Sequence, residues 1–103
     1  MPRPYGDKFL LELQAADHTR LGVKLAKLCV KANLPAAYVA KVLEVSETTI
    51  YKWFRGQIMK EPNIKRVEAF MSLVEQDMAA HILPAKDSVD AKHYLSLMVG
   101  GSI

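Results

Sequence analysis

The chain has 103 residues, half of them apolar and 24% charged, with a formal net charge of +3 at pH 7. That is the size and balance of a single soluble domain, too small for two cores, and no apolar run approaches the roughly 18 residues of a membrane span. Cys29 is the only cysteine, which excludes a disulfide framework and a cysteine zinc site and points to a reducing cytoplasm.

The opening run Met1-Pro2-Arg3-Pro4-Tyr5-Gly6-Asp7 lacks the apolar core of a signal peptide. A short amphipathic segment follows around residues 9–13, so residues 1–16 are expected to form an N-terminal segment with at most a short helix. Pro35, Gly56, Pro62, Pro84 and Gly100-Gly101 divide the remainder into helix-sized pieces. There is no alternating strand pattern and no Asn-Gly or Asp-Gly hairpin signal, so the expected fold class is all-α.

Leu21, Leu25, Leu28, Cys29 and Ala32 recur at helical spacing, with Asp17 expected as N-cap. Cys29 falls on that apolar stripe and reads as a buried structural thiol. Asn33 suits a left-handed C-cap, and Pro35 can open the next helix, residues 36–43, with Val39, Ala40 and Leu43 on one side. A break at Glu44-Val45-Ser46 leads into a further helix over residues 47–55, which the Ser46 hydroxyl can cap by accepting from the amides of Thr48 and Thr49. Two short helices joined by such a turn make a helix-turn-helix unit.

The second of these helices divides sharply by angle. At about 100° per residue, Glu47, Tyr51, Arg55, Thr48 and Lys52 fall on one arc. Ile50, Trp53 and Phe54 fall on the other, with Thr49 at its margin. The polar arc holds groups that reach base edges and phosphates.

Residues 62–82 read as a long helix in which Ile64, Val67, Met71, Val74, Met78 and His81 form one stripe, with Phe70 and Leu73 on a second. A last helix follows Pro84, with Asp87 or Ser88 as cap, Val89, Tyr94, Leu95 and Met98 as apolar positions, and Gly100-Gly101 as stop. Residues 17–82 are therefore expected to form the core of four to five helices, and residues 83–103 a C-terminal helical extension. The second stripe and the extension suit an oligomerisation element, a homodimer or a higher homo-oligomer. The alternative is that both helices fold back and enlarge one core.

Charge is unevenly spread. Residues 19–60 carry eight basic side chains against Glu44 and Glu47, whereas residues 61–103 carry four against six acids. A basic half suits a polyanionic partner, and a solvated lysine face is the bland alternative. Lys24, Lys27 and Lys31 share one helix face and are read the same two ways. His18, His81 and His93 lack the spacing and acidic company of a metal site, and no catalytic triad, phosphate loop or paired carboxylates occur. The reading is non-enzymatic, with no cofactor and no metal.

The run from Val39-Ala40 through Val45-Ser46 and Thr49-Ile50-Tyr51-Lys52-Trp53 to Gly56 resembles the Cro/repressor-like helix-turn-helix family. The family pattern is Leu-Ala, a turn, Val-Ser, then Thr-Ile-x-Arg/Lys-Trp and a closing Gly. With the helix over residues 21–34 and the loop at Pro62-Asn63-Ile64, the resemblance covers about residues 18–75. It implies that Ala40 is the small residue where the two helices cross, that Ile50 and Trp53 anchor the second helix, and that Glu47, Thr48, Tyr51, Lys52 and Arg55 face DNA. Helices of this kind enter the major groove by their N-terminal part. The chain departs from the pattern at Glu44, where Gly is usual, and at Ala36, often a phosphate-binding Gln.

The function so implied is a sequence-specific regulator of transcription, cytoplasmic and free of any membrane, whose partner is double-stranded DNA. Two other readings stay open. One is a DNA-packaging subunit like the phage small terminase, or a recombination subunit; the other is a protein-interaction module that has lost DNA binding.

Overall fold

In the computed structural model residues 5–99 are described; the first four residues and the expected Gly100-Gly101 stop lie outside them. Among the described residues the fold is all-α, six helices and no strand: α1 (Asp7–Ala15), α2 (Leu21–Ala32), α3 (Ala36–Val42), α4 (Glu47–Phe54), α5 (Asn63–Ala79) and α6 (Ser88–Val99). The short helix expected within residues 1–16 is α1. None of the six is long and apolar enough to cross a membrane.

Helix α2 is the hub, packing against α1, α4 and α5, while α3 packs against α4 and α6. The apolar stripe read from the sequence points inward: Leu25, Cys29 and Ala32 are buried, and Leu21 and Leu28 are half-buried against the same core. Asp17 does not cap this helix. Its carboxylate accepts from the Thr19 amide at 2.9 Å and the Thr19 hydroxyl at 2.6 Å, closing a turn one step earlier, so that Arg20 takes the N-cap position. Those bonds hold the Asp17 carboxyl below its ordinary range.

Helices α2, α3, α4 and α5 all stop in one way. A residue turns left-handed, its amide donates to the carbonyl three residues back, and the next amide donates five residues back, which is the Schellman arrangement. The left-handed residues are Asn33, Glu44, Gly56 and His81. The paired bonds are Asn33 to Val30 with Leu34 to Cys29, Glu44 to Lys41 with Val45 to Ala40, Gly56 to Trp53 with Gln57 to Lys52, and His81 to Met78 with Ile82 to Asp77. The carbonyls that a helix end leaves unpaired are thus partly satisfied. The left-handed His81 ends α5 short of the expected residue 82 and takes His81 off its apolar stripe.

On α5, Val67, Phe70 and Val74 are buried, and Ile64, Met71 and Met78 are half-buried against the core. Phe70 therefore belongs to the core-facing side, and Leu73 alone of the expected second stripe stands out, half exposed. Helix α6 starts on two carboxylates: Asp87 accepts from the Asp90 amide as an N-cap does, and Asp90 reaches back to accept from the Lys86 amide. It folds back onto α3, burying Ala91 and Leu95. The connection before it is pinned twice, by Ala85 N–H donating to the Ala32 carbonyl at 2.9 Å and by Asn33 Nδ2 donating to the Ala85 carbonyl at 2.7 Å. The Tyr94 hydroxyl donates to Asp77 at 2.5 Å and ties α6 to α5. One face of the extension thus enlarges the core. Val89, expected among its apolar positions, is 75% exposed, and Leu97 is 69% exposed.

Candidate nucleic-acid interface

The α3–turn–α4 unit is built as its residues dictate. Val39 and Ala40 on α3 and its C-cap residue Leu43 are buried, as are Ile50, Trp53 and Phe54 on α4. Ser46 caps α4, accepting from the Thr49 amide at 3.0 Å while its hydroxyl donates to Thr49 Oγ1 at 2.9 Å. The Thr48 amide, also expected as a donor, does not use this cap. Glu44 occupies the left-handed position of the turn with φ near 60°, and Arg66 of α5 reaches its carboxylate at 3.5 Å. The departure from glycine therefore leaves the Schellman turn intact.

A feature that the sequence reading passed over sets the position of α4. A Cβ on Gly22 would stand 2.1 Å from the carbonyl oxygen of Trp53, so α2 and α4 touch backbone to side chain-free backbone there. Ala40, expected where α3 and α4 cross, is buried; Gly22 lies at a different crossing, that of α2 with α4. The available signal was a glycine in the first turn of a helix, where it costs about 1 kcal/mol relative to alanine unless packing requires it.

The polar arc is exposed at Glu47, Thr48, Lys52 and Arg55. Tyr51 differs. Its ring is half-buried, edge-on to Phe9 of α1 with centroids 5.9 Å apart and edge-on to Phe54 at 5.7 Å. Tyr5 stacks on Phe9 at 5.2 Å, and its hydroxyl donates to the buried Leu34 carbonyl at 2.6 Å. Burial raises the Tyr51 phenol above its ordinary value, the Glu47 charge adds to that, and Arg55 opposes it. Phe9 and Glu12 also share a small cleft with Arg55. Helix α1 therefore flanks the C-terminal half of α4, and Glu47 and Thr48 at its N-terminal end stand clear of it.

No family model, curated protein or solved structure matches the chain.

The basic residues divide between two surfaces. Lys52 and Arg55 lie on α4. Lys24, Lys27 and Lys31 lie on α2 at about 140–200° from Gly22, taking 100° per residue, which is the side of α2 turned away from α4. Among the described residues no cluster of histidine, cysteine or acidic side chains could hold a metal ion. Cys29 is buried, and burial pushes its thiol up to about 12, which suits packing and disfavours a nucleophile.

Proposed function

We propose that the chain is a sequence-specific, non-enzymatic regulator of transcription that binds double-stranded DNA in the cytoplasm, of the Cro/repressor-like kind, with α4 as its recognition helix. One observation carries this reading. A Ser46-capped helix is fixed by Ile50, Trp53 and Phe54 on one side and offers Glu47, Thr48, Lys52 and Arg55 to solvent on the other. Those side chains cover the chemistry of readout. A carboxylate accepts from cytosine N4, a hydroxyl bonds to phosphate or base, and Lys and Arg pair with phosphate or guanine. Tyr51 joins them mainly as a spacer whose ring sets the height of the face, since Phe9 and Phe54 hold it.

In the proposed complex the chain acts as a homodimer on two half-sites, with the exposed Val89 and Leu97 of α6 available to the second protomer. The deciding experiment is a mobility shift with random duplexes at two salt concentrations, followed by sequencing of the bound fraction. Enrichment of a repeat spaced by about 10–10.5 base pairs supports a dimeric regulator. Salt-sensitive binding without enrichment moves the reading to packaging or recombination, and no binding moves it to a protein partner.

A further inference from the structure

An open groove of about 840 Å³ runs between α1, α2 and α5. Its floor is apolar, formed by Leu13, Leu28, Met71 and Met78, and its two walls differ in charge. Lys24, Lys27 and Lys31 line the α2 side, and Glu75 stands on the α5 side. Lys27 is bonded to the His18 ring, while Lys24 and Lys31 are exposed. From Lys24 to Lys31 is two helical turns, roughly 10 Å at 1.5 Å per residue, and Met71 to Met78 spans the same length on α5.

We infer that this groove docks an amphipathic helix of a partner protein, with carboxylates along the edge that meets the α2 lysines. An apolar floor two turns long takes the i, i+3/i+4, i+7 side chains of such a helix, and flexible methionines adapt to their shapes. The exposed ammonium groups of Lys24 and Lys31, two turns apart on one wall, match carboxylates at the same interval, whereas a single-headed anionic amphiphile uses only one. A small ligand also needs most of its surface enclosed, and this groove is open. Glu75 sets the orientation, because a helix laid in reverse brings its acidic edge against a like charge.

A second copy of the chain fits this groove poorly. Among the described residues α1 and α5 each expose one large apolar side chain, Leu11 and Leu73, and the exposed pair on α6, Val89 and Leu97, has as its nearest acid only Asp90, whose carboxylate already accepts from the Lys86 amide. The lysine row faces away from α4, so docking here does not depend on the DNA-binding reading and leaves the α4 face open.

The test is selection of a displayed library of helical-scaffold peptides on the full chain, with the affinity of the enriched peptide then read by fluorescence anisotropy. Enriched peptides are expected to carry apolar residues at helical spacing with Asp or Glu along one edge. They should bind about tenfold more weakly to a Lys24→Glu/Lys31→Glu chain and also lose affinity for Met71→Gln. Binding should persist with excess duplex DNA present. Matching thermal unfolding midpoints confirm that the variants fold. Enrichment without an acidic edge, no enrichment, or affinity unchanged in both variants overturns the proposal. So does displacement by laurate, which would assign the groove to an amphiphile. Dimerisation of the chain alone that is lost in the double variant would assign it to a second copy.

Discussion

The carbonyl oxygen of Trp53 faces Gly22 so closely that a methyl group on Gly22 would lie 2.1 Å from it, and the same oxygen accepts from the Gly56 amide at 2.9 Å. The obstacle is backbone, which cannot rotate away as a side chain can. Gly22→Ala is therefore expected to lower stability by about 1–3 kcal/mol, despite alanine's better helix propensity. Urea denaturation checks this, and a wild-type midpoint would show that α2 and α4 can separate without cost.

The two arcs of α4 should respond oppositely to truncation. Trp53→Ala is expected to cost about 3–5 kcal/mol, because it empties a buried site. Lys52→Ala and Arg55→Ala, both exposed, should leave stability within about 0.5 kcal/mol while weakening DNA binding and flattening its salt dependence. Equal DNA affinity in the wild type and the Lys52/Arg55 double variant would remove α4 from the proposed interface.

Glu44 holds a left-handed backbone in the turn before α4, a conformation costing non-glycine residues about 1–2 kcal/mol. Glycine there relieves that strain and gives back part of it as unfolded-state entropy. Glu44→Gly is expected to raise stability by under about 1 kcal/mol, and Glu44→Val to lower it. Loss of an acid beside the proposed interface should also strengthen DNA binding. The unfolding midpoints of the two variants, compared with wild type, decide the point.

Cys29 is expected to make the protein sensitive to alkali. Its thiol rises from an ordinary 9.0 to about 12 through burial, and burial likewise raises the phenols of Tyr5 and Tyr94. A raised folded value means that the unfolded chain loses its proton first. The associated stability is whole below about pH 9 and is lost as pH climbs toward 12. Denaturant midpoints across pH 7–11 should be flat at first and then fall, and in Cys29→Ala the fall should begin later. An unchanged onset in that variant would clear the thiol of the effect.

Local chemistry was readable in the sequence where one residue acts on its near neighbours. Ser46, Asn33 and Asp87 do at their helix ends what their side chains favour, and the inward face of α4 follows from its period. Asp17 misled because the same carboxylate can serve a helix cap or a turn, and Thr19, two residues on, supplied the competing donors. Phe9 against Tyr51 and Gly22 against Trp53 join residues more than thirty positions apart, and no periodic pattern carries that information. In α6 the alternatives were balanced: Ala91 and Leu95 turn in while Val89 turns out, a choice made by the surface of α3.

The double tie at Ala85, from its own amide to Ala32 and from Asn33 back to its carbonyl, closes a loop of some fifty residues that contains both helices of the α3–α4 unit. Closing so long a loop is entropically slow. In a chain made from its N-terminus, α2, α3 and α4 leave the ribosome before the residues that complete their packing, and the surface of α3 later covered by Ala91 and Leu95 stays bare until then. That interval is when the nascent chain is most open to aggregation. A stop codon near residue 82 should therefore yield less soluble protein, even though it spares every residue proposed to touch DNA.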